Sequence, residues 1–107
     1  MDLPLLRDVL PSFGDELQHL LVKQGEPELA AQVPELRIAG RCHCGDDFCA
    51  TFYVRPKRSG PFGAGHRNVC LEPEQGMVIL DVVNGKIECV EVLYRDHIRE
   101  AIHAAIP

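Results

Sequence analysis

Apolar residues in this chain follow two periods, three to four residues near both ends and two residues through the middle. Phe13, Leu17, Leu20 and Leu21 recur at i, i+4, i+7 and i+8, the stripe of a helix buried on one face. The spacing predicts that helix from Ser12 to about Lys23, opened by a capping box in which Asp15 replaces the usual Glu, with Gly25 just past its end. Before it, Asp2 is placed to cap a shorter helix over Leu3–Leu10, with Leu5, Leu6, Val9 and Leu10 on its apolar side and Pro11 as its stop. Glu26-Pro27 opens a third short helix carrying Leu29, Ala30 and Val33, and Pro34 closes the helical part. At the far end Ile98, Ala101, Ile102, Ala105 and Ile106 match the amphipathic template, with Asp96 as the predicted cap.

The middle of the chain reads as strands. Leu36–Cys44 and Phe48–Arg55 flank a tight polar turn in which Gly45 tolerates positive φ. Val69–Glu72 follows a long loop, and Met77–Val83 and Lys86–Tyr94 enclose Asn84-Gly85, the dipeptide of a type I′ hairpin turn. Strict alternation cannot put Ile87, Val90 and Val92 on one face. One extra residue near Glu88-Cys89, a β-bulge, brings all three to the core and leaves Glu91 outside. The expected fold is therefore α+β: N-terminal helices, a mainly antiparallel five-stranded meander sheet, and a C-terminal helix packed on one face. No repeat or linker interrupts residues 1–107, which read as a single α+β domain.

Composition adds exclusions. The chain is 46% hydrophobic and 25% charged, ordinary globular values that argue against disorder. Its net charge of −5 argues against nonspecific binding to nucleic acid or to anionic membranes. Residues 37–67 nevertheless hold a local +4, leaving −9 for the remainder. No apolar run approaches a membrane span or a leader segment, so a cytoplasmic protein is expected. Five cysteines is an odd number, which rules out a complete disulfide framework.

Candidate chemistry gathers in Arg41-Cys42-His43-Cys44-Gly45-Asp46-Asp47-Phe48-Cys49. Cys42 and Cys44 alternate on one strand and point the same way, and Cys49 lies across the turn. A fourth ligand is expected from Cys70 or His66 on the following strand, giving a tetrahedral set for one structural zinc. The competing expectation, and the preferred one, is no cofactor: the thiols are small residues packed beside a turn. Cysteine catalysis needs a base in reach. His43 projects to the opposite side of the strand, so His66 is the better partner. No C-x-x-C, Walker loop or dinucleotide fingerprint is present, and Gly63-Ala64-Gly65 is not such a fingerprint because no helix follows it. The loop with Arg55, Lys57, Arg58, Phe62 and Arg67 is a candidate docking surface for a protein partner, against the plainer reading of a solvated loop. His19, His97 and His103 read as surface residues on helices.

The segment Asn84-Gly85-Lys86-Ile87-Glu88-Cys89-Val90-Glu91-Val92-Leu93 resembles the closing strand of small uncharacterised bacterial domains. Arg41–Thr51 is similar to a cysteine-glycine turn in other small bacterial proteins, some of them immunity proteins carried near toxin loci. The resemblance implies a non-enzymatic interaction module of a bacterial cytoplasm and transfers no catalytic residue. A zinc-stabilised domain stands second and a thiol-dependent enzyme third.

Overall fold

A computed structural model of the protein describes residues 3–56 and 60–107. In chain order it has α1 (Leu6–Val9), α2 (Pro11–Lys23), α3 (Pro27–Ala30), a 3-10 turn (Val33–Glu35), β1 (Gly40–Arg41), β2 (Phe52–Tyr53), β3 (His66–Leu71), β4 (Met77–Val83), β5 (Lys86–Leu93) and α4 (Asp96–Ala105). The strands form one antiparallel sheet in the order β1-β2-β5-β4-β3. It is thus α+β, with β3-β4-β5 as the consecutive part. The short hairpin β1-β2 joins the sheet beside β5, not beside β3 as a simple meander would place it.

Alternation gives the sheet two unlike faces. Val69, Leu71, Val78, Leu80, Val82, Ile87, Val90, Val92 and Phe52 form one cluster with Leu6, Phe13, Leu17 and Leu21 from α1 and α2 and Ile98 and Ile102 from α4. Phe13 meets Phe52 edge-on at 6.3 Å between ring centres, an arrangement aromatic pairs favour. The other face carries His66, Asn68, Asp81, Cys89 and Glu91. The bulge lies where expected: Asp81 pairs with Cys89 but Val82 with Ile87, so Glu88 is the extra residue. Ile87, Val90 and Val92 all reach the core as a result.

The helical segments differ from expectation at their starts. α1 begins only at Leu6, since Leu5 is extended in a bridge with Arg37 and the Pro4 carbonyl accepts from Ile38. The expected cap Asp2 lies outside the described residues. Pro11 opens α2 and does not stop its predecessor, because its fixed φ suits a first helical position and its missing N–H costs nothing there. Ser12 consequently sits inside the helix, and no side chain caps it. Pro34 falls within the 3-10 turn. Arg95 holds the N-cap position of α4, with Asp96 one residue inside, where its charge still favours the positive helix end.

The expected strands 36–44 and 48–55 keep their pairing but only two-residue ladders each; β3 begins three residues before expectation. No helix is long and apolar enough to cross a membrane among the described residues.

Two glycines separate backbone strain from crowding. Asn84 and Gly85 have φ of 50° and 80°, the I′ turn, and a Cβ on Gly85 would meet nothing within 4 Å. Gly76, with φ of 70°, is different: a Cβ there would run into the Leu93 carbonyl and lie 2.9 Å from Arg95 Cγ. Gly85→Val should cost about 1–2 kcal/mol through strain alone, and Gly76→Val clearly more. Urea midpoints decide this; an unmoved midpoint in Gly85→Val would contradict the turn, and equal losses would contradict the crowding at Gly76.

Candidate metal centre and the cavity beside it

The register of β2 on β5 positions the cysteine turn. Phe52 pairs with Val90 and Tyr53 with Cys89, and the same register continues to a bridge between Cys49 and Leu93. Ala50 N–H donates to the Val92 carbonyl at 2.8 Å, and Val92 N–H donates to Thr51 Oγ1 at 3.2 Å. The turn is closed by Cys49 N–H on the Asp46 carbonyl at 3.2 Å, with Gly45 at φ 83°. Phe48 stacks on Tyr94 at 5.3 Å. From the other side, Arg41 donates to the Ile106 and Pro107 carbonyls at 2.7 and 3.0 Å, tying β1 to the end of α4.

Held this way, Cys42, Cys44 and Cys49 bring their sulfur atoms within 4.8 Å of one another, close enough to hold one metal ion. Cys42 and Cys49 are half-buried and Cys44 is exposed. Burial works against ionising Cys49, but the Thr51 hydroxyl and N–H and the two neighbouring thiols outweigh it and hold its pKa below the ordinary thiol value. The Asp46 N–H favours ionised Cys44, yet hydrogen bonds with Cys42 and Cys49 dominate and push it up to about 11.

The other expected ligands are elsewhere. Cys70 and His66 lie on β3, at the far edge, three or four strand spacings or roughly 14–19 Å from the turn. The crossing from β2 to β5 separates them, a consequence of strand order that local spacing does not encode. His66 Nε2 lies 2.9 Å from Asp81 Oδ1 and its ring packs on Phe62 at 4.6 Å, so it serves no cysteine as a base. Two residues of the expected docking loop are paired within the fold. Arg55 pairs with Glu88 at 2.9 Å and Arg67 makes a two-pronged pair with Glu26 at 2.9 and 3.0 Å. Lys57 and Arg58 lie outside the described residues. Of the three surface histidines expected, His103 is half-buried, 3.5 Å from Arg41.

A cavity of about 390 Å³ opens beside the turn on the polar sheet face. Cys42 and Cys49 form one wall, Tyr53, Phe48 and Phe62 supply aromatic surface, and Asp81, Glu88, Cys89 and Glu91 face it from β4 and β5. The bulge lets neighbours Glu88 and Cys89 both line it. Sequence reasoning placed Glu91 outside the core but did not see the acidic group. The available signal was Asp81 alone in the apolar run Met77–Val83. Burial, with the Asp81 and Glu91 charges adding to it, raises Cys89 far above the thiol range, so that thiol is inert.

Asp81 and Glu91 are shifted in opposite directions. Burial opposes charge on Asp81, but hydrogen bonds from Glu91, His66 and Asn68 more than compensate and hold it below the usual carboxylate range. Burial and the Asp81 hydrogen bond push Glu91 up to about 7. A raised acid contributes stability that is fully present below its unfolded value and is lost as pH rises through the folded one. Asp81 has the opposite sign and loses its contribution in acid. Metal-free protein should therefore lose about 1–2 kcal/mol between about pH 5 and 8, after allowance for solvent screening. Glu91→Gln, which mimics the protonated acid, should flatten that slope. A wild-type melting curve independent of pH over this window, or an unchanged slope in the variant, would contradict the raised Glu91 carboxyl.

Comparison of the chain with protein-family models, curated proteins and solved structures finds no match in any of the three.

Proposed function

We propose that the domain binds one thiophilic metal ion, zinc in the first instance, through Cys42, Cys44 and Cys49. The convergence of three sulfur atoms within 4.8 Å carries the reading. Residues that merely pack have no need to aim their sulfurs at one another, and Cys44 is exposed, where a thiol gains little from packing. Thiolate ligands select soft or borderline ions such as zinc and copper(I) over magnesium or calcium. The charge of a bound ion would drive deprotonation of the thiols that hold it. The domain's larger role is then to hold that ion at one end of the sheet. The docking role expected of residues 55–67 gains no comparable support, since Arg55 and Arg67 are spent on intramolecular pairs.

Protein purified without chelator should carry about one equivalent of zinc. A strong chelator should lower the melting temperature, because the ion links two sides of a turn whose own ladders are only two residues long. Cys42→Ser and Cys49→Ser should each reproduce that loss, whereas Cys89→Ser should retain the metal. Substoichiometric metal under every loading condition, with a melting curve indifferent to chelator, would leave the thiols as packing residues and end this reading.

A further inference from the structure

Zinc with protein ligands takes four positions when its role is structural and keeps one free when it handles an external ligand. Here the turn supplies three sulfurs, and among the described residues no further Cys, His, Asp or Glu joins that group. The expected fourth ligands, Cys70 and His66, are on the opposite edge of the sheet. Two of the three sulfur-bearing residues, Cys42 and Cys49, line the 390 Å³ cavity, which is large enough for a small organic molecule. The centre thus adjoins open space through two of its three thiols.

The cavity also restricts what can enter. A divalent ion with three thiolates carries a net −1. Across the cavity, Asp81 and Glu91 face it together from the paired strands β4 and β5. Glu88 is neutralised by Arg55 and Asp81 is engaged by His66 and Asn68. An anionic ligand meets net negative charge from both sides. A ligand with a soft donor at one end and a cation at the other meets complementary groups at both. Pairing carries Cys42 to Thr51 and Thr51 to Glu91, so the thiol and the carboxyl group stand two strand spacings apart, roughly 10 Å between Cα atoms. A short chain bridges metal and carboxylate, with Tyr53 and Phe48 along its sides.

We propose that the three-thiolate centre keeps one coordination position open to this cavity and takes there the sulfur of a small aminothiol, whose ammonium group is received by Glu91 and Asp81. The proposal rests on the metal reading above. In the binding step a metal–water bond would break and a metal–sulfur bond form, the thiol proton leaving to solvent with the released water. The ammonium displaces the Glu91 proton, which also leaves to solvent and which glutamine could not give up. No electron changes hands.

The experiment uses the protein loaded with cobalt(II), a spectroscopic substitute for zinc, under anaerobic conditions. Three probes are titrated: 2-aminoethanethiol, 2-mercaptoethanol and mercaptoacetate. Each binding event is read from the cobalt ligand-field bands and the thiolate-to-cobalt charge-transfer band. The expected result is a saturable gain in charge transfer, with the aminothiol binding about 10-fold tighter than the hydroxythiol, as one charge-assisted hydrogen bond supplies, and mercaptoacetate weakest. Glu91→Gln should bring the aminothiol close to the hydroxythiol while leaving cobalt affinity unchanged. Three outcomes overturn the proposal alone: a cobalt spectrum blind to all three thiols, thiols that strip cobalt from the protein, or equal affinities for the three. Failure of cobalt to form a stoichiometric complex would remove the metal reading, and this proposal with it.

Discussion

Alternation along β5 is the constraint from which the rest follows. The strand pairs with β4 on one side and β2 on the other, so each of its side chains must serve the helical core or the polar face. One extra residue at Glu88 reconciles two requirements that a regular strand cannot meet together. It turns Ile87, Val90 and Val92 inward, and it lets Glu88, Cys89 and Glu91 line the opposite face. Burying a side chain of that size is worth about 1.5–3 kcal/mol, which explains why the apolar set wins and the acidic residues accept partial burial. Their cost is then reduced locally: Arg55 pairs with Glu88, His66 and Asn68 hold Asp81, and burial raises the Glu91 carboxyl to about 7, where its charge is readily given up.

The same strand determines where the cysteines stand. β1 and β2 have too few ladder bonds to fix a turn by themselves. The Cys49–Leu93 bridge, the Ala50–Val92 hydrogen bond and the Phe48–Tyr94 stack anchor the turn to the end of β5, while Arg41 fastens its base to the end of α4. Three thiols are thereby gathered by tertiary contacts along the rim of a cavity, where a metal ion would complete the cross-link.

Much of this was legible in the residues. The helical stripe at Phe13, Leu17 and Leu21, the Asn84-Gly85 turn and the parity conflict at Ile87 each state a local rule, and each was met. That Cys42, Cys44 and Cys49 share one turn is also local, although tertiary contacts are what hold that turn in place. What the sequence concealed is long-range. Nothing near Phe52 says that its strand will join β5 instead of β3, and that choice removes Cys70 and His66 from the metal group. Pro11 has two meanings, an end and a beginning, and only the extended backbone at Leu5 and the core position of Leu6 favour the second. Asp81, Glu88 and Glu91 come from strands that are mostly apolar, so their association depends on register across the hairpin.

The central claim is that three sulfurs of one turn bind a metal and leave a position for something else. X-ray absorption at the zinc edge of the loaded protein tests it most directly, because it counts sulfur and lighter neighbours separately. The account predicts three sulfur scatterers at about 2.3 Å and one oxygen or nitrogen at about 2.0–2.2 Å. A shell of four sulfurs, or one built only from nitrogen and oxygen, would contradict it.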